Sequence, residues 1–181
     1  MAVAKVIESE IINIVDIIGE VVDNVRSEYD PVADEKPYYL HGHPLEIVNT
    51  LKEHTESGAD LKFKKFPLIA MLEDFEDDGS FGVFAHRAKV DILFITNTNM
   101  DYKASDRYTN SFNLILTPIY DLFVKYLKKK RGVFTEKDNI SGKTIYHLYW
   151  GKKGLYGNDG NIFDDFIDAI EIKGLELKIY R

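Results

Sequence analysis

The chain has 181 residues, of which 45% are hydrophobic and 13% aromatic, which is enough for a hydrophobic core and predicts one folded domain over residues 1–181. The formal net charge of −7 argues against a protein that grips a DNA or RNA backbone through a basic surface. The lack of cysteine excludes a disulfide scaffold and a thiolate metal site, and the lack of a long uncharged apolar run leads us to expect neither a membrane-spanning helix nor a signal peptide.

The first predicted element is an amphipathic helix from about Ala4 to Arg26. Its apolar residues are mostly β-branched, so we expect packing on the sheet rather than helix propensity to hold it. The apolar stripe is wide, which leaves open a second contact with a neighbouring subunit. The residues of the stripe recur at a spacing of 4-3-4-3-4 and are Ile7, Ile11, Ile14, Ile18, Val21 and Val25, widened by Ile12, Val15 and Val22.

A polar segment from Ser27 to Tyr39 reads as a loop. A short helix is predicted from Pro44 to His54, because proline suits the first helical turn and because Leu45, Val48 and Leu51 then share one face.

A long β-hairpin is predicted next. Its first strand runs from Leu61 to Phe75 and is apolar on both faces between Pro67 and Leu72, which is typical of a strand covered on both sides. An acidic turn over residues 76–80 leads into the returning strand, Phe81 to Thr96.

After a polar link from Thr96 to Ser105, a single helix is predicted from about Asp106 to Lys130, with Ser105 as its N-cap. Pro118 must kink this helix or restart it with Thr117 as a second cap, and the continuous periodicity favours one kinked helix. The basic run at residues 128–131 reads as a helix C-terminus rather than as a nucleic-acid patch. The stripe of this helix is Tyr108, Phe112, Ile115, Ile119, Leu122 and Tyr126, with Leu116, Phe123 and Leu127 beside it.

Two more strands complete the prediction, from Thr144 to Trp150 and from about Asp165 to Tyr180, with a glycine-rich connection between them. In the first strand, alternation places Trp150 on the same side as Tyr146 and Leu148. In the second, the apolar pattern changes phase at Gly174, which indicates a β-bulge. The predicted fold class is α+β: a mainly antiparallel sheet with a long hairpin, packed by the N-terminal helix and the long central helix.

Residues with catalytic or ligand-binding chemistry form no complete motif. His41 and His43 are two residues apart and precede Glu46, which allows a metal site but fits a strand-to-helix turn with hydrogen-bonding imidazoles better. The Gly142-Lys143-Thr144 sequence lacks the earlier glycine and the following helix of a phosphate loop. Asp91, near Lys89, reads as a paired acid rather than as a general base. We therefore assign no catalytic, cofactor-binding or metal-binding residue, and expect no cofactor.

The order of elements resembles that of the tail-terminator and tail-completion proteins of tailed bacteriophages and of the neck-ring (head-tail connector) proteins of podovirus-like particles. The elements that carry the resemblance are the N-terminal helix, the hairpin Leu61–Thr96, the strand-link-helix unit Val90–Lys130 and the terminal strand. The stretch from Tyr38 to Phe75 also resembles structural proteins of crAss-like phages. Pro118 and the extra segment Pro37–Gly58 depart from the pattern.

The resemblance implies a non-enzymatic virion protein that forms a homo-oligomeric ring, assembled in the cytoplasm of a bacterial host. Its partners would be portal, neck or tail proteins, with genome DNA passing through the lumen and no membrane involved. The hairpin tip Phe75–Phe81 and the loop Gly151–Asn161 are candidate contacts with neighbouring rings. Two alternatives stay open: a small ligand- or metal-binding protein or enzyme with a site near His41 and His43, and another interaction module such as an immunity or adaptor protein.

Overall fold

A computed structural model of the chain describes residues 14–29, 36–56, 65–78, 85–131, 133–134, 141–150 and 166–180. The fold is α+β with a mostly antiparallel sheet, which confirms the predicted class. In chain order the elements are α1 (Ile14–Glu28), β1 (Tyr38–Gly42), α2 (Pro44–Glu56), β2 (Leu68–Asp78), β3 (Ala85–Asn97), the long helix α3 (residues 104–129), β4 (Val133–Phe134), β5 (Lys143–Trp150) and β6 (Ile167–Tyr180).

The sheet has the strand order β1-β2-β3-β6, and the far side of β6 pairs with both β5 and β4. Strand β5 pairs along residues 167–173 of β6, and β4 pairs at residues 178–179. Among the described strands, β1 and β2 run parallel and the other pairs are antiparallel. The hairpin β2–β3 and the terminal strand β6 are therefore the inner strands of the sheet.

Strand β1 was missed, because its first two residues fall in the predicted loop Ser27–Tyr39. Tyr38 pairs with Leu68 in the parallel register, and the pairing continues to Gly42 and Leu72. The partner strand is 30 residues away in sequence by that register, so the pairing that makes this segment a strand is not visible locally. The start of the loop was also misplaced, since α1 continues past Arg26 to Glu28.

One face of the sheet carries the larger hydrophobic core, beneath α1 and α3. The predicted stripe of α1 is confirmed over the part of the helix that is described, while Ile7, Ile11 and Ile12 lie outside it. Ile17, which the predicted stripe omitted, is also buried. The largest fully buried side chains that fill this core from α3 and the sheet are Phe94, Phe112, Phe123, Ile69, Met71, Ile92, Leu116 and Ile119.

The opposite face carries a smaller core beneath α2, whose helix is confirmed. Ile47, Val48 and Leu51 pack against the sheet, whereas Leu45 is 58% exposed, so its predicted place on the buried face is wrong. The short helix left two apolar faces possible, and the sheet contact selects the one that contains Ile47.

The predicted double coverage of β2 is confirmed. Ile69 and Met71 enter the core beneath α1 and α3, and Leu68 and Ala70 enter the core beneath α2. The acidic residues Glu76–Asp78 were predicted as a turn, but their backbone continues β2 and pairs with residues 87–89 of β3. A register shift between Leu72 and Glu76 separates this acidic extension from the apolar part of the strand.

Helix α3 is a single helix, as predicted, although its first turn differs. The N-cap is Lys103, and Ser105 lies inside the helix, where its carbonyl oxygen accepts a hydrogen bond from the Thr109 hydroxyl. A π-helical segment, Tyr108–Leu116, joins the α-helical turn Ala104–Arg107 to the α-helix Thr117–Lys129.

The π segment accounts for Pro118 without a second N-cap. Proline cannot donate to the preceding turn, and its ring crowds the carbonyl group four residues earlier. The Thr117 N–H bonds to the Phe112 carbonyl, five residues back, so the widened turn ends directly before the proline. Thr117 is therefore helical rather than a second N-cap.

The predicted bulge at Gly174 is confirmed. Val90 pairs with Leu175 and Ile92 pairs with Ile172, so β6 has an extra residue opposite Asp91. Gly174 has φ +66°, and its N–H donates to Asp91 Oδ1 at 2.6 Å. The bulge keeps Ile172 and Leu175 in the same core despite their odd spacing.

Strand β5 has an irregularity that reverses one prediction. Tyr149 has φ +57°, and the pairing with β6 shifts between His147 and Trp150. Leu148 packs toward the core beneath α3, whereas Trp150 packs toward the core beneath α2 and stacks on His147 with ring centroids 4.3 Å apart. The predicted alternation therefore fails for Trp150.

Polar side chains join α1 to α3 at the surface. Glu28 accepts hydrogen bonds from Lys125 and Tyr126, and Lys130 forms an ion pair with Glu20. The bond from Lys125, together with that from Tyr126, holds the pKa of Glu28 below its ordinary value of 4.5. The same contact raises the pKa of Lys125 and of Tyr126. The basic residues Lys128 and Lys129 lie in the last turn of α3, as predicted, and the contact of Lys130 with α1 was not predicted.

Candidate functional site

The link between β3 and α3, residues 98–103, is an irregular segment held by several specific hydrogen bonds. It contains a turn in which the Tyr102 N–H bonds to the Asn99 carbonyl, and the Asn99 side chain accepts the Asp101 N–H at 3.1 Å. Met100 at the tip is 59% exposed. The sequence predicted an exposed connection here, and the structure adds that its backbone is held by specific hydrogen bonds.

The side chain of Arg107, in the first turn of α3, forms hydrogen bonds with residues of the link. Its side chain is almost fully buried, although it is charged. One guanidinium nitrogen donates to Thr98 Oγ1 at 2.9 Å, and the other donates to the carbonyl oxygens of Asn99 at 3.0 Å and Tyr102 at 3.1 Å. The planar fork of an arginine suits this pattern because its donors have fixed directions. The first turn of α3 therefore fixes the shape of the link that precedes it.

Asp168 balances the charge of Arg107. The carboxylate is completely buried in β6, its Oδ1 lies 3.4 Å from the guanidinium, and that oxygen also accepts the Tyr149 N–H at 2.7 Å. The Tyr149 ring lies 4.3 Å from the guanidinium carbon, a cation–π contact. Asp168 Oδ2 is buried without a hydrogen-bond partner among the described residues. Arg107 and Asp168 thus join the link, α3, β5 and β6.

A polar pocket of about 480 Å³ lies between the link and the π segment of α3. None of the described residues that line it carries a formal charge. Its hydrogen-bonding groups are carboxamides and hydroxyls, and its apolar wall includes Ile115 and Phe166. The polar lining residues are Asn97, Thr98, Asn99, Tyr102, Asn110 and Ser111.

Exposed apolar side chains lie on α3 and on β5. The Tyr108 and Phe112 rings are 5.5 Å apart, and the Phe112 and Tyr146 rings are 5.8 Å apart, so the three form an aromatic row from helix to strand. Tyr108 is 49% exposed and Tyr146 is 52% exposed. Aromatic side chains exposed in this way are typical of protein–protein interfaces.

His41 lies in β1, and His43 lies in the turn from β1 to α2. The Leu45 N–H bonds to His43 Nδ1 at 3.2 Å, and the His43 N–H bonds to Glu46 Oε2 at 3.2 Å, which is a reciprocal capping arrangement around Pro44. This confirms the predicted turn with a hydrogen-bonding imidazole. His41 is exposed, with its ring 5.8 Å from that of Tyr39.

The remaining candidates have structural positions or lie outside the described residues. Asp91 binds the bulge at Gly174. Gly142 precedes a strand rather than a helix, as expected. The loop Gly151–Asn161 and residues 79–81 of the hairpin tip lie outside the described residues. In the described part of the chain, no three His, Cys, Asp or Glu side chains are grouped so that they could hold a metal ion.

Sequence reasoning missed Arg107, Asp168 and Tyr149. One signal for Asp168 was present, because it is an acid inside an apolar strand, where a buried charge needs a partner. Nothing local identifies that partner, since Arg107 lies 61 residues earlier.

No helix of the described segments has the length and apolar character needed to cross a membrane. No protein-family model matches the chain, and searches of curated proteins and of solved structures found no match.

Proposed function

We propose that the protein is a non-enzymatic structural subunit of a tailed-bacteriophage particle that assembles into a homo-oligomeric ring at the head-tail junction or in the tail. Portal, neck or tail proteins lie next to the ring, and genome DNA passes through its lumen. The order of elements in the sequence supports this proposal through the resemblance to ring-forming phage proteins.

The observation that carries the proposal is the aromatic row Tyr108, Phe112 and Tyr146. Two of its rings are about half exposed, and the row joins the long helix to a strand that lies beside β6 at one side of the sheet. In a ring, each subunit presents one surface to the next subunit and a different surface to the previous one. A rigid aromatic surface at one side of the sheet suits such a contact.

The charge supports the second part of the proposal. A net charge of −7 disfavours tight binding to a polyanion, because the phosphates would be repelled at most orientations. A ring that conducts DNA benefits from weak contacts in its lumen.

The test combines light scattering and negative-stain imaging of the purified protein with mass spectrometry of purified phage particles. We expect rings of several copies, or a monomer that is nevertheless a stoichiometric component of the particle. A protein that is monomeric and also missing from the particles would overturn the proposal. A monomer that binds stoichiometric metal would favour the alternative site near His41 and His43.

A further inference from the structure

The end of strand β5 contains a residue in an unusual backbone conformation. Tyr149 has φ +57°, a left-handed conformation that crowds the β-carbon and that residues other than glycine adopt rarely. Such a conformation persists only where the surrounding structure fixes it, and it is frequent in segments that switch between two arrangements. The contacts of Tyr149 therefore show what holds the strand end in place.

The contacts of Tyr149 lead to the link between β3 and α3. Its N–H donates to Asp168 Oδ1 at 2.7 Å, and the same oxygen lies 3.4 Å from the Arg107 guanidinium. Its ring lies 4.3 Å from the guanidinium carbon of Arg107 and 5.2 Å from the ring of Phe166. Both of these neighbours bind Thr98 of the link, Arg107 through the hydroxyl and Phe166 through the backbone N–H. The groups that hold Tyr149 are thus held in turn by the link.

The conformation of Tyr149 decides on which face of the sheet Trp150 lies. Strand β5 has one residue more than β6 between the pairs made by His147 and Trp150, and the extra residue turns Trp150 toward the core beneath α2. Without the extra residue, regular alternation would place Trp150 on the opposite face, beside Tyr146 and Leu148. The two arrangements differ by a slip of one residue.

Such a slip would be confined to the end of one strand. Among the described strands, β5 pairs with β6 alone, and the irregularity lies in its last residues. On the α2 side, the observed arrangement is held by the stacking of Trp150 on His147, whose Nε2 lies 2.7 Å from Glu171 Oε2. The two arrangements therefore exchange contacts on opposite faces of the sheet while the rest of the sheet is unchanged.

We propose that the end of β5 is a conformational switch controlled by the link. While the link holds Arg107 and Phe166, Tyr149 stays in the left-handed conformation and Trp150 lies on the α2 face. When the link is displaced, Tyr149 returns to an extended conformation and Trp150 moves to the α3 face. Met100 in the link is 59% exposed, so a contact made there is placed to displace the link. The switch lies within one subunit and does not depend on the proposed ring.

The first test observes Trp150 while the link is loosened. Trp150 is the only tryptophan of the chain, so 5-fluorotryptophan labels this position alone for ¹⁹F NMR of the full chain. Thr98→Val removes the hydroxyl that accepts from Arg107 and keeps the size of the side chain. Loss of one hydrogen bond should raise the ratio of the second arrangement to the first roughly fivefold, seen as a second signal or as a displaced average.

Thr109→Val is the matched control, because the Thr109 hydroxyl bonds to the Ser105 carbonyl within α3 and not to the link. We expect its ¹⁹F spectrum to match that of the wild type. An unchanged spectrum for Thr98→Val, or an equal change for both variants, would overturn the proposal.

The second test changes the backbone preference of Tyr149 itself. Tyr149→Val and Tyr149→Gly both remove the ring, but valine disfavours a positive φ and glycine adopts it freely. The ratio of the second arrangement to the first should be roughly tenfold larger in the valine variant than in the glycine variant. Far-UV circular dichroism verifies that both variants are folded. Equal ratios in the two variants would overturn the switch and leave the proposed function standing, because the measurement does not require a ring.

Discussion

The buried ion pair of Arg107 and Asp168 is the residue-scale feature on which the link depends. Taking both charges out of water is costly, and the hydrogen bonds of Arg107 to Thr98, Asn99 and Tyr102 offset part of that cost. The pair is therefore a device for fixing a conformation rather than a large source of stability. Removing one partner alone leaves the other charge buried and uncompensated.

Asp168→Asn is expected to destabilise the protein by about 3 kcal/mol, because Arg107 then lacks a counter-charge in a buried site. Urea unfolding followed by circular dichroism measures the change. Glu176→Gln is the control, because it breaks an ion pair with Arg87 at the surface. The Glu176 side chain is 31% exposed and that of Arg87 is 36% exposed, so this variant should lose less than about 1 kcal/mol of stability. Equal losses for the two variants would contradict the account of a buried charge pair.

The bulge at Gly174 is a second residue-scale feature. A β-carbon there would lie 2.9 Å from Lys89 Cε, and φ +66° disfavours any residue with a side chain. Gly174→Ala should therefore cost about 1–2 kcal/mol, measured by urea unfolding. In a Lys89→Ala background the steric part disappears, and about 1 kcal/mol of backbone strain should be left. No loss in either background would show that the backbone relaxes into another register.

At the scale of elements, the two helices on opposite faces of the sheet depend on different kinds of contact. Helix α2 is short and rests on a few apolar side chains. Helices α1 and α3 share the larger core and are joined at the surface by charged residues. Each arrangement makes its own prediction.

Helix α2 should depend on Ile47 and be indifferent to Leu45. Ile47 is 2% exposed against the sheet and Leu45 is 58% exposed. Truncation of a buried isoleucine to alanine leaves a cavity, so Ile47→Ala should cost about 2–4 kcal/mol in urea unfolding. Leu45→Ala should change stability by less than about 0.5 kcal/mol. A larger loss from Leu45→Ala would restore the face that the sequence first indicated.

The contact of Glu28 with Lys125 and Tyr126 should make the α1–α3 contact sensitive to acid. The pKa of Glu28 is lower in the folded protein than its ordinary value of 4.5. At a pH between the folded and unfolded pKa values, the unfolded chain therefore binds more protons than the folded protein. Its contribution is therefore complete at neutral pH and is lost as the pH falls below 4.5 toward the lower folded pKa. The difference in unfolding free energy between wild type and Glu28→Gln should shrink from about pH 7 to about pH 3.

A Lys125→Met background provides the control for that experiment. Lys125 is the first cause of the lowered pKa of Glu28, so without it Glu28→Gln should have a smaller effect that varies less with pH. A pH dependence of equal size in both backgrounds would assign the effect to other carboxylates.

Whole elements could be predicted where one face is buried over many residues. The stripe of α1 and the apolar run of β2 are long, and burial of one face or of both gives a periodic pattern in the sequence. The bulge at Gly174 could be predicted for the same reason, because the alternation of apolar residues changes phase there. In α3 the predicted stripe is only partly right, because Tyr108 is 49% exposed while the flanking row Leu116, Phe123 and Leu127 is fully buried. In α2 the apolar pattern is too short to show whether Leu45 or Ile47 lies on the buried face.

What the sequence did not show depends on pairing between distant segments. Residues 38–42 form a strand because they pair with β2, and the buried charge of Arg107 is compensated by Asp168. The turn at Tyr149 moves Trp150 to the other face of the sheet, and a single positive φ at a tyrosine leaves no pattern in the chain. These features carry most of the candidate site, which is why the site was found only in the folded protein.

On the scale of the whole molecule, the sheet separates two surfaces with different properties. The link, the polar pocket and the aromatic row involve α3 and the ends or side of the sheet, while α2 covers part of the opposite face. If the protein assembles through the first set, substitutions there should change the oligomer without changing the fold. Substitutions on α2 that are equally exposed should change neither.

Tyr108→Ser together with Tyr146→Thr tests this separation in the assembled protein. Both rings are about half exposed, so the double variant should unfold within a few degrees of wild type, about the shift caused by a loss of 1 kcal/mol or less. Its oligomer should dissociate to monomers at concentrations where wild type stays assembled, since aromatic anchors dominate interface energies. Leu45→Ser is the control on α2, and light scattering measures all three proteins. A double variant that assembles like wild type would exclude the aromatic row as the subunit contact.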